Sequence, residues 1–274
     1  MFQDTYKSKK VLITGNTGFK GSWLSIWLSK LNAEVYGLSL DKPSSPNMFD
    51  ILDLESKIEH SRGDVRNIDS LGRLIQKIKP DFIFHLAAQA LVSKSYTDPT
   101  ETISTNVIGT MNLLEALRKT KHSCNCIIIT SDKCYDNVEW AWGYKETDTL
   151  GGKDIYSGSK GAAELIFKSY HYSFFNGDKN IVNIASARAG NVIGGGDWAQ
   201  DRIIPDCVRS WSRGEAVNIR SPKATRPWQH VLEPLSGYLL LGMELSKNKN
   251  LNGESFNFGP ISHQNHSVED ILKE

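Results

Sequence analysis

The sequence predicts an α/β fold: a doubly wound parallel sheet covered by helices on both faces, with a smaller C-terminal substrate-binding lobe. Three observations predict it. Apolar runs of strand length alternate with stretches of helical periodicity as far as residue 187. A glycine-rich turn stands between the first strand and the first helix. After Gly190 the alternation stops, and the chain up to Pro234 becomes rich in Arg, Trp and Pro. Strands separated by helices need crossovers that return across the sheet, which makes the strands parallel.

The elements follow in order. Val11-Leu12-Ile13 reads as a short buried strand, and Leu24, Trp27, Leu28 and Leu31 then fall on one face of a helix. Residues 34–40 form a second strand. The helix predicted over 68–78 is stopped by Lys79-Pro80, because the residue before a proline avoids helical backbone. Phe82-Ile83-Phe84-His85-Leu86 is another strand, and a long helix carries Val107, Met111, Leu114 and Leu117 at helical spacing. A strand over 126–130 follows, then a helix after Asp154 that includes Glu164, Leu165 and Phe167, then a strand over 181–187. The division expected is a first domain over 1–190 and a smaller, interleaved lobe over 191–274. The last residues, 267–274, read as the opening of a helix that stops abruptly, so the chain is expected to be truncated.

Composition narrows the function. A chain of 274 residues can bury a sizeable core without disulfides or structural metal. Lys plus Arg is 32 against 31 for Asp plus Glu, which excludes recognition of nucleic acid by bulk basicity while leaving room for a local anion pocket. No apolar stretch approaches the roughly 20 residues of a membrane span, and 1–10 is polar, so no leader peptide is read. Cys124, Cys126, Cys134 and Cys207 lack paired metal spacing and read as reduced thiols, with no metal expected. The cytoplasm is the expected compartment, with no nucleic acid or membrane partner.

Chemistry enters at Thr14-Gly15-Asn16-Thr17-Gly18-Phe19-Lys20-Gly21, whose glycines are spaced G-x-x-G-x-x-G. Backbone at such glycines can approach a pyrophosphate closely, with free amides and the helix dipole pointing at it. In a strand–turn–helix setting this is the mark of a Rossmann-like dinucleotide site. Twenty residues beyond Gly21, at the end of the second strand, Asp41 can accept both ribose hydroxyls and repel a 2′-phosphate, which selects NAD over NADP. Asp64-Val65 after the third strand and Leu86-Ala87-Ala88 after the fourth are further expected contacts, with Thr17, Phe19 and Lys20 in the turn and Asn106 in the long helix.

Tyr156-Ser157-Gly158-Ser159-Lys160 places a phenol and an ammonium four residues apart, on one face of a helix. A nearby cation favours tyrosinate, so the tyrosine pKa is expected to fall toward neutral and make Tyr156 a base. The strand ending Ile127-Ile128-Ile129-Thr130 delivers Ser131-Asp132-Lys133 to the carboxyl edge, where open α/β sheets bind ligands. Ser131 can hydrogen-bond a sugar hydroxyl and the tyrosinate, and Asp132-Lys133 offers a proton carrier and a cation together.

These residues resemble the extended short-chain dehydrogenase/reductases that act on nucleotide sugars, and among them the CDP-glucose 4,6-dehydratases. The resemblance rests on 15–21, on His85-Leu86-Ala87-Ala88-Gln89, on Thr130-Ser131-Asp132-Lys133-Cys134-Tyr135 and on 154–160. It extends through 187–198, with Asn191 and Gly194-Gly195-Gly196-Asp197-Trp198, and through Arg226-Pro227-Trp228-Gln229-His230-Val231. It implies a bound NAD, CDP-glucose as substrate and an internal redox cycle. Tyr156 would take the proton of the sugar's 4-hydroxyl, the 4-ketone would acidify the 5-position, and water would leave from the 6-position. Asp132 would be the acid for the departing hydroxyl. The related dTDP-glucose dehydratases carry Asp-Glu where this chain has Asp132-Lys133, so Lys133 would be the base or would stabilise the enolate. Gln89, Ser131, Asn191, Arg202, Arg226 and Trp228 would hold the substrate. A homodimer is also implied, and Ala90 departs from a usual proline. A nucleotide-sugar 4-epimerase, a dehydratase for another nucleotide-glucose, or a non-catalytic NAD-binding scaffold are the alternatives. Epimerases need no acid/base pair to expel water.

Overall fold

The computed structural model describes residues 2–177, 179–261 and 266–273. Seven strands make one sheet: β1 (Lys10–Thr14), β2 (Glu34–Ser39), β3 (Glu59–Arg62), β4 (Phe82–His85), β5 (Cys124–Ile129), β6 (Val182–Ala189) and β7 (Ser255–Phe258). Their spatial order is β3-β2-β1-β4-β5-β6-β7, and every pairing is parallel. Chain order reverses between β1 and β4, which opens a crevice at the carboxyl edge.

Successive residues of a strand point to opposite faces. Val11 and Ile13 join one apolar cluster with Leu24, Leu28, Phe84 and Ile127, while Leu12 joins the other with Ile83, Leu113, Leu117, Ile128 and Ile184. Burial on both faces is why these strands read as unbroken apolar runs. Asn67 caps the helix Ile68–Ile78 by accepting the Ser70 amide, and Lys79 closes it at φ 53° ahead of Pro80. All four cysteines are free and buried. Among the described residues no helix is long and apolar enough to cross a membrane.

Three elements differ from the sequence reading. The long helix runs as Pro99–Ile103, a π turn over Ser104–Ile108 and Gly109–Arg118. A π turn takes in an extra residue, so the inward face shifts to Asn106, Leu113, Leu114 and Leu117, while Val107 and Met111 are only half-buried. β3 is the polar Glu59-His60-Ser61-Arg62 at the sheet edge, and it shows no apolar pattern. Beyond residue 190 the chain divides. Val192–Ile193 pairs with Gln229–His230, and Thr225–Arg226 with His266–Ser267, with the helix Ile203–Trp211 between the first and second of these segments in the chain. The helix Leu232–Leu245 and β7 instead return to the main sheet, with Leu235, Tyr238 and Leu239 in its core.

Candidate active site

The glycine turn is built as a cradle. Gly15 sits at φ +77°, and a Cβ there would stand 2.8 Å from the Ala87 nitrogen; one on Gly21 would run into the Gly15 carbonyl. Gly18 begins the twelve-residue helix Phe19–Lys30 with no side chain to cap it, which leaves the first amides and the dipole free for a pyrophosphate. These residues fit a dinucleotide. Asn16, which sequence reasoning passed over, anchors the turn to β2. Its Oδ1 accepts from Ser39 Oγ at 2.7 Å, and Ser39 Oγ accepts the Thr17 amide at 3.2 Å. Gly37 leaves the space that the Asn16 side chain fills.

From Thr17 a cavity of about 550 Å³ runs past Asp41, Lys42, Asn47, His60 and Arg62. Asp41 meets Arg62 at 2.7 Å, both largely exposed. Asp64 is engaged by Arg66, whose guanidinium reaches both carboxylate oxygens and holds the carboxyl below its usual range. Val65 is buried against Gly109.

At the end of β4 a chain of hydrogen bonds fixes the backbone beside the cradle. Burial holds the His85 pKa down to about 3, so its ring is neutral. Thr110 Oγ1 donates to the Asn106 carbonyl at 2.7 Å and so receives the His85 Nε2 proton at 3.3 Å. His85 Nδ1 then accepts from Thr14 Oγ1 at 2.7 Å, and Thr14 Oγ1 accepts the Ala87 amide at 3.2 Å. Leu86, Ala87 and Ala88 are thereby pinned against the phosphate turn. Two expected ligand contacts are spent inside the protein. The Gln89 amide bonds the Leu91 backbone and Thr102, and Asn106 bonds the Gln89 backbone and, at 2.8 Å, Ser159 of the helix Ile155–Tyr170. Their side chains tie β4 to that helix.

The edge of β5 and the helix Ile155–Tyr170 bring together Ser131, Asp132, Tyr156 and Lys160, the residues expected to react. Asp154 starts the helix by accepting the Ser157 amide at 2.9 Å. Tyr156 and Lys160 are both buried, with the Lys160 ammonium 5.9 Å from the Tyr156 ring centre. Ser131 Oγ donates to Asp132 at 2.9 Å and lies beside the Tyr156 phenol. Asp132 lies against Gly190, where a Cβ would come 3.2 Å from Oδ2. Lys133 is half-buried. One expectation is corrected. Burial and then the Asp132 carboxylate push the Tyr156 pKa up to about 12, outweighing Ser131 and Arg202, which pull it down. Lys160 is itself lowered to about 8 by burial. Its charge faces the ring of Tyr156, and desolvation of the phenolate is the larger effect.

Below this edge lies a network the sequence reading missed. Glu164, one turn beyond Lys160, accepts from Thr130 at 2.5 Å, Ser186 at 2.9 Å and Arg188 at 2.7 Å. Arg188 also donates to Tyr135 Oη at 2.7 Å. A charged residue inside the apolar strand Val182–Ala189 was the available signal. On the lobe side, Arg202 pairs with Asp197 at 2.8 Å and lies within electrostatic reach of Tyr156 and Lys20. Asn191 receives the Gln229 amide on its carbonyl. Arg226 and Trp228 stand farther out, Arg226 bonded to the Thr225 carbonyl and Trp228 to that of His266.

A family model described as GDP-mannose 4,6 dehydratase matches residues 12–267. CDP-glucose 4,6-dehydratase of Salmonella typhimurium is 49% identical over 97% of this chain and 75% of its own. The dTDP-glucose 4,6-dehydratase DesIV of Streptomyces venezuelae, solved with NAD bound, superposes with a TM-score of 0.82 at 21% identity, over 96% of this chain and 79% of that one. UDP-glucuronic acid 4-epimerase of Bacillus cereus, solved with UDP-glucuronic acid and NAD, gives 0.80 at 26% identity, over 96% of this chain and 81% of its own.

Proposed function

This chain belongs to the GDP-mannose 4,6 dehydratase family, and from that premise we propose that it is an NAD-dependent lyase converting CDP-glucose to CDP-4-keto-6-deoxyglucose and water. The observation that carries the reading is the part-buried contact of Ser131 with Asp132 beside Tyr156, which stands an acid next to the base. A 4-epimerase has no use for such an acid. The 49% identity to a CDP-glucose 4,6-dehydratase supports the choice of base.

Gly15, Gly18 and Gly21 would hold the NAD pyrophosphate and Asp41 its ribose. NAD, when bound, supplies an electron acceptor beside the sugar that is restored at the end of the cycle. Tyr156, whose pKa lies at about 12 in the unliganded site, would accept the proton of the sugar's 4-hydroxyl only as its phenolate, with Ser131 bonded to the same oxygen and the Lys160 charge facing the ring to lower the cost of that form. The ketone acidifies the proton at the 5-position, and Lys133 is the base that takes it. Asp132 gives its proton to the departing 6-oxygen, which leaves as water. Asn191, Arg202, Arg226 and Trp228 would hold the nucleotide diphosphate, arginine being suited to bidentate contact with phosphate. Of the described residues after 190, 191–231, 259–261 and 266–273 would supply the substrate lobe, with 232–258 belonging to the main sheet. We read the working form as a cytoplasmic homodimer, which light scattering of the purified chain tests.

Incubation with CDP-glucose and NAD, followed by assay for a 4-keto-6-deoxy product, tests the reading. Release of a 4-epimer instead would refute it. Asp132→Asn should still oxidise the sugar, leaving the NADH absorbance band, and should lose water at least about tenfold more slowly. Normal dehydration by that variant moves the acid elsewhere.

A further inference from the structure

Gly194-Gly195-Gly196-Asp197-Trp198 follows the short strand Val192–Ile193 and reaches two helices, Phe19–Lys30 and Met48–Ile51. The Trp23 indole Nε1 donates to the Gly195 carbonyl at 2.9 Å. Gly194 lies so near the Phe19 ring that a Cβ would come to 3.3 Å of it, and to 2.7 Å of Val231. Gly196 sits at φ +88°, where a Cβ would stand 2.5 Å from the Met48 sulfur. Side chains at 194 and 196 would prise the backbone off both helices, which is why glycine stands there. The far end is fastened elsewhere. Asp197 pairs with Arg202 at 2.8 Å, and Arg209 donates to the Trp198 carbonyl at 3.0 Å.

The two seats flank the dinucleotide space. Phe19 is the first residue after the cradle's Gly18, and Trp23 lies about one turn further along the same helix. Met48 follows Asn47, which lines the cavity running from Thr17 past Asp41 to Arg62. A cofactor that reaches from the cradle to Asp41 would lie between the two. The hold on 194–196 is light: among the described residues they make no backbone–backbone hydrogen bond, and the Trp23 bond is the one hydrogen bond they receive. A segment pinned at both ends and lightly held in between can lift and reseat, as active-site loops do. In the reaction proposed above NAD is restored in each cycle, so it has no need to leave between turnovers.

Resting on that reading, we infer that the segment 194–198 is a strap that closes over bound NAD and slows its release, with Trp23 and Met48 as its seats. The strap adds no group to the reaction. It acts on the rate at which the cofactor escapes, and both seats lie outside the glycine turn that would grip the pyrophosphate. Lifting it hands the Gly195 carbonyl from the indole to water, so the barrier it adds is about the worth of one hydrogen bond together with the contacts to Phe19 and Met48.

The test follows release of NADH from the chain without sugar, so it needs no turnover. The unmodified chain, Trp23→Phe, Gly196→Ala and Trp27→Phe are each loaded with NADH and mixed with excess NAD, and the decay of NADH fluorescence gives the rate of release. Trp23→Phe should release NADH about five- to tenfold faster, the weight of one hydrogen bond. Gly196→Ala, strained at its backbone and pressed against Met48, should release it about tenfold faster or more. Trp27 lies on the same helix but packs on Phe2, with ring centres 6.0 Å apart. Trp27→Phe should therefore stay within about twofold of normal. Release at the unmodified rate from Trp23→Phe overturns the inference, and so does an equal acceleration by Trp27→Phe, which would mean a loosened helix. A loss confined to affinity for CDP-glucose also overturns it and gives the strap to the substrate. If Gly196→Ala does not fold, Trp23→Phe decides. Failure to form the 4-keto-6-deoxy product refutes the dehydratase reading and leaves the release rates standing, whereas unchanged release refutes the strap alone.

Discussion

Arg188 and Glu164 stand 2.7 Å apart, and so do Arg62 and Asp41. The side chains of the first pair are 2% and 0% exposed, those of the second 73% and 74%. One lies under the carboxyl edge of β5 and β6, the other on the rim of the cavity that runs from Thr17. Equal distance does not mean equal worth. At the rim, water screens the charges and competes for their hydrogen bonds. Under the edge, Glu164 has traded water for Thr130, Ser186 and Arg188, so each partner depends on the others. The functional groups follow the same division. Tyr156 and Lys160 lie in the desolvated region and have strongly moved pKa values, while Asp41 lies in the open.

The largest effect that could break this contrast is on stability. Arg188→Met should cost about 3–5 kcal/mol in urea unfolding, because it leaves the Glu164 carboxylate buried without its counter-charge. Arg62→Met should cost under about 1 kcal/mol. Similar costs for the two would mean that burial does not separate them.

Next comes a gain that reverses with pH. Lys160 titrates near 8 in the folded chain, against 10.5 unfolded. Below pH 8 both states carry the charge, and the folded one bears the desolvation. Lys160→Met should therefore be more stable than the unmodified chain at pH 7, by about 3 kcal/mol. Between pH 8 and 10.5 the unfolded state holds more protons than the folded one, so the unmodified chain gains stability as pH rises and the gap closes. Thermal melts of the cofactor-free proteins across that range check it; a gap that is constant with pH would place the ammonium in water.

Tyr156→Phe keeps the ring and removes the proton acceptor. Turnover of CDP-glucose should fall by about a hundredfold or more with little change in substrate affinity. Near-normal turnover would mean the base lies elsewhere. The smallest effect belongs to the rim. Asp41→Ala should weaken NAD by roughly ten- to a hundredfold, the loss of about one hydrogen bond to a charged group, and narrow its advantage over NADP. Equilibrium binding that finds NADP tighter in the unmodified chain would overturn that assignment, and Arg62 beside Asp41 would be the reason to look for it.

Much of this was legible because it is local. Glycines at 15, 18 and 21 announce backbone that must come close to something, and the structure shows what: the Ala87 amide and the turn's own carbonyl. Tyr156 and Lys160 share a face by helical geometry alone. The buried strands are readable because burial on two faces leaves only apolar residues. β3 was not, since an edge strand has less apolar surface to hide, and its Glu59-His60-Ser61-Arg62 carries no alternation. Nor was β7, which joins the sheet beside β6 although about 65 residues separate the two in the chain.

The sequence by itself therefore determined the winding of β1, β2, β4, β5 and β6, the phosphate turn and the identities of the groups at the sheet's carboxyl edge. Each of these follows from a repeat or spacing within a few residues. The tertiary structure decided what those groups experience. Whether Tyr156 is pushed toward or away from ionisation, and which partners the Asn106 and Gln89 side chains find, depend on neighbours from distant segments. Desolvation and Coulomb interactions sum over every atom within about a Debye length of a group. No local pattern in the chain carries that sum.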